Sequence, residues 1–561
     1  MAYIEGTSRQ QMILYQEKLD DLVSDDNPVK VIDAFVDNID LQKLGFRYAK
    51  VSAAKAGHPS YSPWIMLKLY IYGYFNKIRS SRKLQWLCET NTDVMWLTGR
   101  LTPDFRTISD FRKEHIKQIK EVFKLFIKIC AELGIYSKEI GVQDGSKFKA
   151  VNSKENNVTE SKLNKKIEML DEKIAKYLEE LDKNDAEEGE AQKHTKEKID
   201  EILKKVRERK DLYEGLQKEM KERSITQVSF TDSESRLMKS ANGGFDVSYN
   251  TQIIVDPVSH MIGAYEVTNQ GNDKGQLTPL TEQLKKDLCI EILEAVADKG
   301  YEDKDDMLNC LMNGTIPHVP PKNGTDAHEF ELDYKAVEIT AEKLNSTAPA
   351  DIKECMEAGY LPTVYKNKGI EITVIDAEKY GTDETGSEPC FTLNEEGTAV
   401  KCPNGSELNK VATLHGKGKT RYAGRSACSA CTKKCTTSAF KQVDLKDGQT
   451  VLSIREYRTV KRIKIIFKPD KDKIRNRKCI VEHPFGTIKR WLDGSYTLLM
   501  KEKKVSADFG LMFLSYNMKR AINIIGIQPL IKGIREVMIK IMEDYFHSSS
   551  VFFNIPVKFV S

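Results

Sequence analysis

The feature that most constrains the fold is a strand-like run, GVQDGSKFKAV from Gly141, that a long charged helical stretch separates from the next strand-like segments. Those segments, GFDVSYNTQIIVD and SHMIGAYEVT, are rich in β-branched and aromatic residues and are divided by the turn-like pair Asp256-Pro257. A helical pattern follows from about Lys274 to Asp287, and EAVADKGY then has the character of another short strand. This order predicts an α/β core with a mixed sheet and flanking helices.

The charged stretch covers residues 160–224, where apolar residues recur at three- and four-residue steps on both sides of a polar gap at residues 184–192. The spacing predicts an antiparallel coiled helical hairpin inserted into the core, serving as a solvated spacer or a dimer arm. Heptad-like spacing fits packing within one chain and between two chains equally well.

The chain has 561 residues, a length that predicts about three or four structural units. Residues 1–135 have dense apolar helical patterns and are expected to form an all-helical N-terminal domain, with Pro103 and Asp104 marking the start of one helix. This domain is either a module that docks on DNA or a helical bundle that packs only on its neighbours. Residues 136–159 and 225–325 are expected to form the first part of the core.

Charge is segregated along the second half of the chain, although the net charge is only +4. Residues 326–396 carry 17 acids and 6 bases, whereas residues 455–490 carry 13 bases and 4 acids, which implies opposite partners for the two stretches. We therefore predict an acidic α+β insertion at residues 326–450. A basic segment and the C-terminal part of the core, including a closing helix, follow at residues 451–530, and a tail at 531–561.

Cysteine usage and hydropathy indicate the cellular compartment and a candidate metal site. The N-terminus has no basic and apolar leader, and no apolar run is long enough to cross a membrane, so a cytoplasmic protein is expected. Four cysteines, Cys402, Cys428, Cys431 and Cys435, have the spacing C-x25-C-x2-C-x3-C, which would suit a structural zinc ribbon. Unligated thiols, or a different ligand such as Cys390, remain alternatives.

Three acids stand in settings that suit metal-dependent chemistry. Asp144 and Asp298 each follow a short apolar strand and precede a glycine, and Glu482 begins a helical segment. Phosphoryl transfer on nucleic acid requires such carboxylates, because two divalent ions must be held by oxygen ligands around the reacting phosphate. Taken singly, each acid is more typical of a turn or a helix cap.

Several ordered motifs make the chain resemble bacterial insertion-sequence transposases of the Asp-Asp-Glu (DDE) type. These motifs are GHPSYSPWIMLKLYIYGY (57–74), TPDFRTISDFR (102–112), QDGSKFKAV (143–151), TDSESRLMK (231–239), YNTQIIVD (249–256), EVTNQGND (266–273), ADKGY (297–301) and VEHPFGTIKR (481–490). The resemblance covers nearly the whole chain. It implies an RNase H-like catalytic core and a helical N-terminal transposase domain.

The resemblance also implies roles for individual residues. Asp144, Asp298 and Glu482 would be the catalytic triad that holds two Mg²⁺ or Mn²⁺ ions, and Lys489 would contact a phosphate of the transposon end from the same helix face as Glu482. The family usually has Tyr and Arg where this chain has Arg475 and Lys478, so the upstream phosphate contact is open among Arg475, Arg477 and Lys478. The DNA-binding candidates are Lys489, Arg490, Arg475, Arg477, Lys478, Lys147 and Lys149.

The implied function is DNA transposition: binding of the element's ends, metal-dependent cleavage, and joining of the 3′ ends to target DNA by a homodimer at the bacterial nucleoid. Alternatives are a metal-dependent nuclease that does not join strands, and an inactive DNA-binding derivative. Other prominent residues are interpreted as structural, with base stacking as the alternative for Trp491: Asp232, Asp246, Asp256, His318, His415, His483 and Trp491.

Overall fold

The computed structural model describes residues 18–47, 61–185, 190–222, 225–240, 243–322, 324–379, 382–383, 390–414, 418–431, 438–454 and 458–549. The chain divides into two compact units. Unit 1 comprises Met1–Ala327, Thr347–Ala350 and Pro469–Ser561, and unit 2 comprises His328–Ser346 and Asp351–Lys468. No helix in the described ranges has the length and apolar character needed to span a bilayer.

Unit 1 begins with helices, as the sequence predicts. They are α1 (Val29–Asp37), α2 (Pro63–Phe75), α3 (Ser81–Thr90), α4 (Thr92–Thr98), α5 (Phe105–Glu114) and α6 (Ile116–Glu132). The predicted helix start is confirmed, because the Asp104 carboxylate accepts hydrogen bonds from the backbone N–H groups of Arg106 and Thr107. Helix α2 is buried on nearly all sides, which its almost wholly apolar sequence requires.

A six-stranded mixed sheet forms the centre of unit 1. Its strands are β1 (Ile140–Lys149), β4 (Arg236–Lys239), β5 (Phe245–Val255), β6 (Ile262–Thr268), β7 (Leu293–Val296) and β8 (Thr315–His318). The order is β4-β5-β1-β7-β8, and β6 also pairs with β5. Strand β1 is antiparallel to β5 and parallel to β7, and β7 is parallel to β8, so the predicted mixed sheet is confirmed.

Two long helices, α7 (Glu160–Asp185) and α8 (Glu190–Glu222), lie between strands β2 (Asn157–Thr159) and β3 (Gln227–Ser229). Gln217 of α8 donates a hydrogen bond to Asn164 of α7. About two turns away, Lys210 of α8 pairs with Asp171 of α7. The residue numbers rise on one helix as they fall on the other, so the two helices pack antiparallel. Leu163, Leu170, Tyr213 and Met220 are among the residues of their shared apolar core.

The remaining helices of unit 1 are α9 (Leu277–Leu288), α10 (Lys304–Met312), α14 (Lys471–Gly486), α15 (Glu502–Ile525) and α16 (Ile527–Ser549). The first four pack against the sheet, whereas α16 packs on α1, α6 and α15. A π-helical turn, Thr487–Trp491, continues directly from α14. The predicted closing helix is confirmed as α15, where Phe509, Met512, Leu514 and Met518 are buried in the core.

Unit 2 is mostly antiparallel sheet. Its elements are β9 (His328–Asp333), α11 (Ala341–Asn345), α12 (Pro349–Glu357), β10 (Ile370–Lys379), β11 (Thr382–Asp383), β12 (Cys390–Leu393), β13 (Ala399–Lys401), β14 (Glu407–Leu414), β15 (Lys419–Ala423), α13 (Arg425–Ser429), β16 (Gln442–Lys446), β17 (Val451–Ile454) and β18 (Arg458–Phe467). One sheet has the order β10-β18-β9, and the other has the order β11-β17-β12-β13-β14-β15-β16.

Strand β18 lies beyond residue 450, where the acidic insertion was predicted to end, and yet belongs to unit 2. It carries the first half of the basic stretch and is the central strand of the β10-β18-β9 sheet. Ile463, Ile465 and Phe467 of this strand are buried. Arg462 and Lys464 pair with Glu331 and Glu329 of the acidic stretch. The two stretches therefore partly neutralise each other at these residues, and the expectation of opposite partners stays a prediction.

Candidate active site

The register of the central sheet brings two of the predicted acids to the same level. Val142 of β1 lies opposite Val296 of β7 in parallel pairing. Asp144 and Asp298 each lie two residues further along their chains, so both stand where β7 ends. The carboxyl ends of parallel strands are where α/β proteins place ligand-binding groups. Asp298 also caps a short helical turn by accepting a hydrogen bond from the backbone N–H of Gly300.

Arg477 of α14 confirms that the two carboxylates are neighbours. Its Nη1 lies 3.3 Å from Oδ2 of Asp144, and its Nη2 lies 3.9 Å from Oδ2 of Asp298. Only 15% of the Arg477 side chain is exposed, and Nη1 is a buried donor without a hydrogen-bond partner in the described part of the chain. One guanidinium therefore spans both acids, and its Nη1 contacts Asp144 as an ion pair without a well-aligned hydrogen bond.

The environment of Asp144 favours its protonated form. Burial raises the pKa of Asp144 to about 6, and the negative charge of Asp298 acts in the same direction. Arg477 opposes this rise because its positive charge favours the ionised carboxylate. A buried carboxyl group with a raised pKa and a specific charged partner is typical of a functional site.

Glu482, the predicted third acid, does not join this pair. Its side chain is 64% exposed, and its Oε1 lies 3.6 Å from Nζ of Lys478 on the same helix. Five residues separate Glu482 from Arg477, a step of about 140° around a helix with 3.6 residues per turn. In the described ranges, no three His, Cys, Asp or Glu side chains form a group that could hold a metal ion. The structure leaves the role of Glu482 a prediction.

Lys489 faces β1 instead of sharing an exposed face with Glu482, which corrects the expected common helix face. Its Nζ donates a 2.6 Å hydrogen bond to Oγ of Ser146 and lies 4.7 Å from the ring centroid of Phe148. The π-helical turn changes the helical step between residues 482 and 489, so the two side chains no longer superimpose. Burial lowers the pKa of Lys489.

A basic cavity of about 600 Å³ opens beside Asp144. Lys147 and Lys149 of β1 line it together with Lys489 and with Lys239 of β4. Four lysines around one cavity favour an anionic ligand such as a phosphate. Lys239 was missed in the sequence, where its motif TDSESRLMK gives no indication of its place near β1.

The other predicted DNA-binding side chains are solvent-exposed: Arg475, Lys478 and Arg490. Trp491 is also 67% exposed, with Nζ of Lys77 lying 4.9 Å from the ring centroid. The interpretation of Trp491 as a core residue is therefore wrong. Base stacking remains open for this side chain.

Asp273 also lines the basic cavity, a position that the sequence did not predict. Its Oδ1 accepts hydrogen bonds from Nδ2 of Asn250, at 2.9 Å, and from Nε2 of Gln252, at 2.7 Å. Tyr301 donates a hydrogen bond to Gln252, and burial with the charges of Asp273, Asp144 and Asp298 raises the Tyr301 pKa well above its usual value. The only signal for Asp273 in the sequence is its place at the end of the motif EVTNQGND.

The acids and histidines interpreted as structural have partners within the fold wherever they are described, and Asp246 also lines the basic cavity. Asp232 accepts a hydrogen bond from the Tyr249 hydroxyl, and Asp256 accepts two from Ser259, while Asp246 pairs with Lys154. Two of these histidines are described, and both have side-chain partners. His318 contacts Glu294 and accepts a hydrogen bond from the backbone N–H of Asp470. His483 contacts the hydroxyl of Tyr516. His415 lies outside the described residues.

The cysteine cluster lies in unit 2. Cys402 begins a turn after β13, and Nδ2 of Asn404 in that turn lies 3.5 Å from Sγ of Cys431. The backbone N–H of Lys441 donates to Sγ of Cys428 at 3.4 Å. The two loops that carry these cysteines therefore meet. Cys435 lies outside the described residues.

Asp144, within β1, and Asp298, just past the end of the adjacent parallel strand β7, place two carboxylates next to a basic cavity and beside Arg477 and Lys489. This arrangement is typical of an enzyme that acts on the phosphodiester backbone of nucleic acid. Residues 224–518, more than half of the chain, match the family model described as Transposase DDE domain. Residues 17–114 match the model described as Transposase domain (DUF772). The chain belongs to the DDE transposase family, so it is a DNA transposase with a DNA-cleaving activity, and the family uses divalent metal ions.

The family match contains Asp298 and Glu482 but begins after Asp144. The assignment of Asp144 therefore depends on the sheet register and on the shared contact with Arg477. Searches against characterised proteins and against solved structures found no significant match.

Proposed function

We propose that this transposase binds the ends of its insertion sequence, cleaves them by two-metal hydrolysis and joins the 3′ ends to target DNA. The observation that carries the proposal is the pairing of Asp144 and Asp298 at one level of the sheet, bridged by Arg477. The order of antiparallel β5 and parallel β7 around β1 supports an RNase H-like core.

The donor chemistry fits Mg²⁺ or Mn²⁺. Carboxylate oxygens are the ligands these hard cations prefer, and Asp144 and Asp298 would hold them together with Glu482. When bound, the two ions would activate a water molecule and stabilise the departing 3′ oxygen. Glu482 must approach the pair for this, since it is exposed and held by Lys478.

The basic residues have separable tasks in this proposal. Lys489, Lys147 and Lys149 neutralise phosphates of the cleaved strand in the basic cavity. Arg477, which pairs with both acids in this structure, would be free to contact a DNA phosphate if bound cations replaced it at the carboxylates. Arg475, Lys478 and Arg490 contact the duplex from the exposed side of the helix.

Strand-transfer assays separate this function from its alternatives. A labelled duplex that carries the element's own ends is incubated with the protein and Mg²⁺ or Mn²⁺, and wild type is compared with Glu482→Gln. We expect wild type to cut and join, and Glu482→Gln to bind but do neither. Asp472→Asn, an exposed change on the same helix, is the matched control and should behave as wild type.

Two other outcomes identify the alternatives. Cutting without joining would favour a stand-alone nuclease. Binding without cutting by wild type would favour an inactive DNA-binding derivative.

Three structural proposals accompany the function. The α7–α8 pair is a coiled hairpin that acts as a spacer or as the arm of a homodimer on paired ends in the bacterial cytoplasm. Sizing of the protein on an end duplex tests the dimer, since a one-to-one complex would contradict it. Cys402, Cys428, Cys431 and Cys435 would hold a structural zinc ion, and the N–H groups aimed at Sγ of Cys428 and Cys431 suit thiolates.

A further inference from the structure

The loop after helix α2 is fixed against the segment that follows α14. Arg79 of this loop donates hydrogen bonds of 3.0 Å from Nη1 to the backbone carbonyl oxygens of Asp493 and Tyr496. Lys77 of the same loop has its Nζ 4.9 Å from the ring centroid of Trp491. The two regions of the chain that match transposase family models therefore meet at this loop.

A second lysine reaches the same place from helix α15. Nζ of Lys519 lies 4.5 Å from the ring centroid of Phe75, the last residue of α2. Burial lowers the pKa of Lys519, and the positive charge of Lys77 acts in the same direction. The two ammonium groups are therefore close enough to repel each other.

Neither Lys77 nor Lys519 forms an ion pair with a carboxylate of the described residues. Another lysine that lies over a tryptophan in this domain shows the contrast. Nζ of Lys30 lies 4.2 Å from the ring centroid of Trp96 and also 3.3 Å from Oδ1 of Asp20. Two cations that are held together without an acid favour a ligand that is itself an anion.

The lysine pair lies beside the segment that contributes to the basic cavity. Lys489, which lines that cavity, and Trp491, which contacts Lys77, belong to the same π-helical turn. Arg490 between them is solvent-exposed. Cations therefore continue from the cavity to the N-terminal helices, as suits the regularly spaced phosphates of duplex DNA.

We propose that Lys77 and Lys519 form a second phosphate-binding site, through which the N-terminal helices and the core together hold the DNA duplex outside the basic cavity. This inference rests on the proposed function and extends it, because it gives the N-terminal helices a direct contact with DNA. The two ammonium groups neutralise backbone phosphates, and the Trp491 ring positions that of Lys77.

The test is equilibrium binding of the full chain to an end duplex over a range of salt concentrations, without divalent cations so that the DNA stays intact. Combining Lys77→Met with Lys519→Met removes both charges and keeps both aliphatic stems. We expect weaker binding, and a slope of log affinity against log salt that is smaller by about two, because each lost phosphate contact removes about 0.9. Lys30→Met is the matched control and should keep the affinity and the slope of wild type.

The thermal unfolding midpoint separates a binding role from a structural one. That of the double variant should equal or exceed that of wild type, because the repulsion between the two ammonium groups is removed. If it falls, the exposed Lys77 is tested alone. Lys77→Met should then reduce the slope by about one at the wild-type midpoint, and an unchanged slope overturns the inference.

Strand transfer by the same proteins in Mg²⁺ distinguishes failure of this inference from failure of the proposed function. If wild type cuts and joins while the double variant binds with the wild-type affinity and slope, the second site is refuted and the proposed function stands. If the double variant loses slope as expected but wild type neither cuts nor joins, the proposed function fails and the second site stands.

Discussion

Asp508 on α15 is expected to be the most sensitive electrostatic position in unit 1. Its carboxylate is 1% exposed and lies 2.5 Å from Nη2 of Arg79 and 3.3 Å from Nη1 of Arg112. Tyr74 of α2 also donates a hydrogen bond to it. Burial raises the pKa of Tyr74, with the charge of Asp508 acting in the same direction, so this hydroxyl stays a neutral donor.

Asp508→Asn removes the charge and leaves two buried guanidinium groups without an anion. Breaking a buried ion pair from one side costs about 3–5 kcal/mol, because the remaining charge stays desolvated. The exposed Glu536–Lys532 pair on α16 provides the contrast, since surface pairs contribute about 0–1 kcal/mol. Asp508→Asn and Glu536→Gln change charge equally but differ in burial.

Hydrogen exchange across α15 measures this difference locally, which suits a chain with two units that need not unfold together. A loss of about 3 kcal/mol corresponds to opening about 100-fold more often. We expect amides of α15 to lose protection by that factor in Asp508→Asn and to stay near wild type in Glu536→Gln. Equal protection in the two variants would refute the argument from burial.

Four further predictions concern the site and the cysteine cluster. Because burial raises the pKa of Asp144 from 3.8 to about 6, the folded chain binds this proton more tightly than the unfolded chain. The stability that this protonation contributes is complete below about pH 4 and is lost as pH rises through about 6. In Asp144→Asn, the unfolding midpoint should no longer show this pH dependence. Lys489→Ala should weaken binding to the end duplex and reduce the slope of log affinity against log salt by about one, whereas Lys532→Ala should change neither. Gly145→Ala should abolish cleavage in a gel assay, because its Cβ would meet Gln252 and Asp273, while circular dichroism stays that of wild type. Metal analysis should find one zinc ion per chain in wild type and less in Cys428→Ser, and a zinc-free wild type would contradict the ribbon.

Local patterns in the sequence were sufficient to predict much of the fold. The alternation of β-branched residues around Asp256-Pro257 predicted the β5–β6 pair, and Asp104 marked a helix start, because strand periodicity and capping depend on neighbouring residues. Strand β18 was assigned to the wrong unit for the opposite reason. Its partners β9 and β10 lie about 100 residues away in sequence, and no local pattern records that pairing.

Site residues next to recognisable strands were predicted from the sequence, whereas those positioned by distant parts of the chain were not. Asp298 follows a recognisable strand, and Asp144, expected just after one, lies within the longer strand β1, so their convergence could be expected from parallel pairing. Asp273 follows a loop with no periodic signal, and its place depends on amides from β5. The orientation of Glu482 and Lys489 depends on a π-helical turn, whose altered step a regular helical projection does not contain.

Single-turnover cleavage of a labelled end duplex by wild type, Asp298→Asn and Asp472→Asn tests the central claim most directly. Asp298 is one of the two acids that the sheet register brings together, whereas Asp472 is an exposed acid at the start of α14. The account predicts cleavage by wild type and Asp472→Asn, and binding without cleavage by Asp298→Asn in Mg²⁺ and in Mn²⁺. Cleavage by Asp298→Asn at the wild-type rate would contradict it.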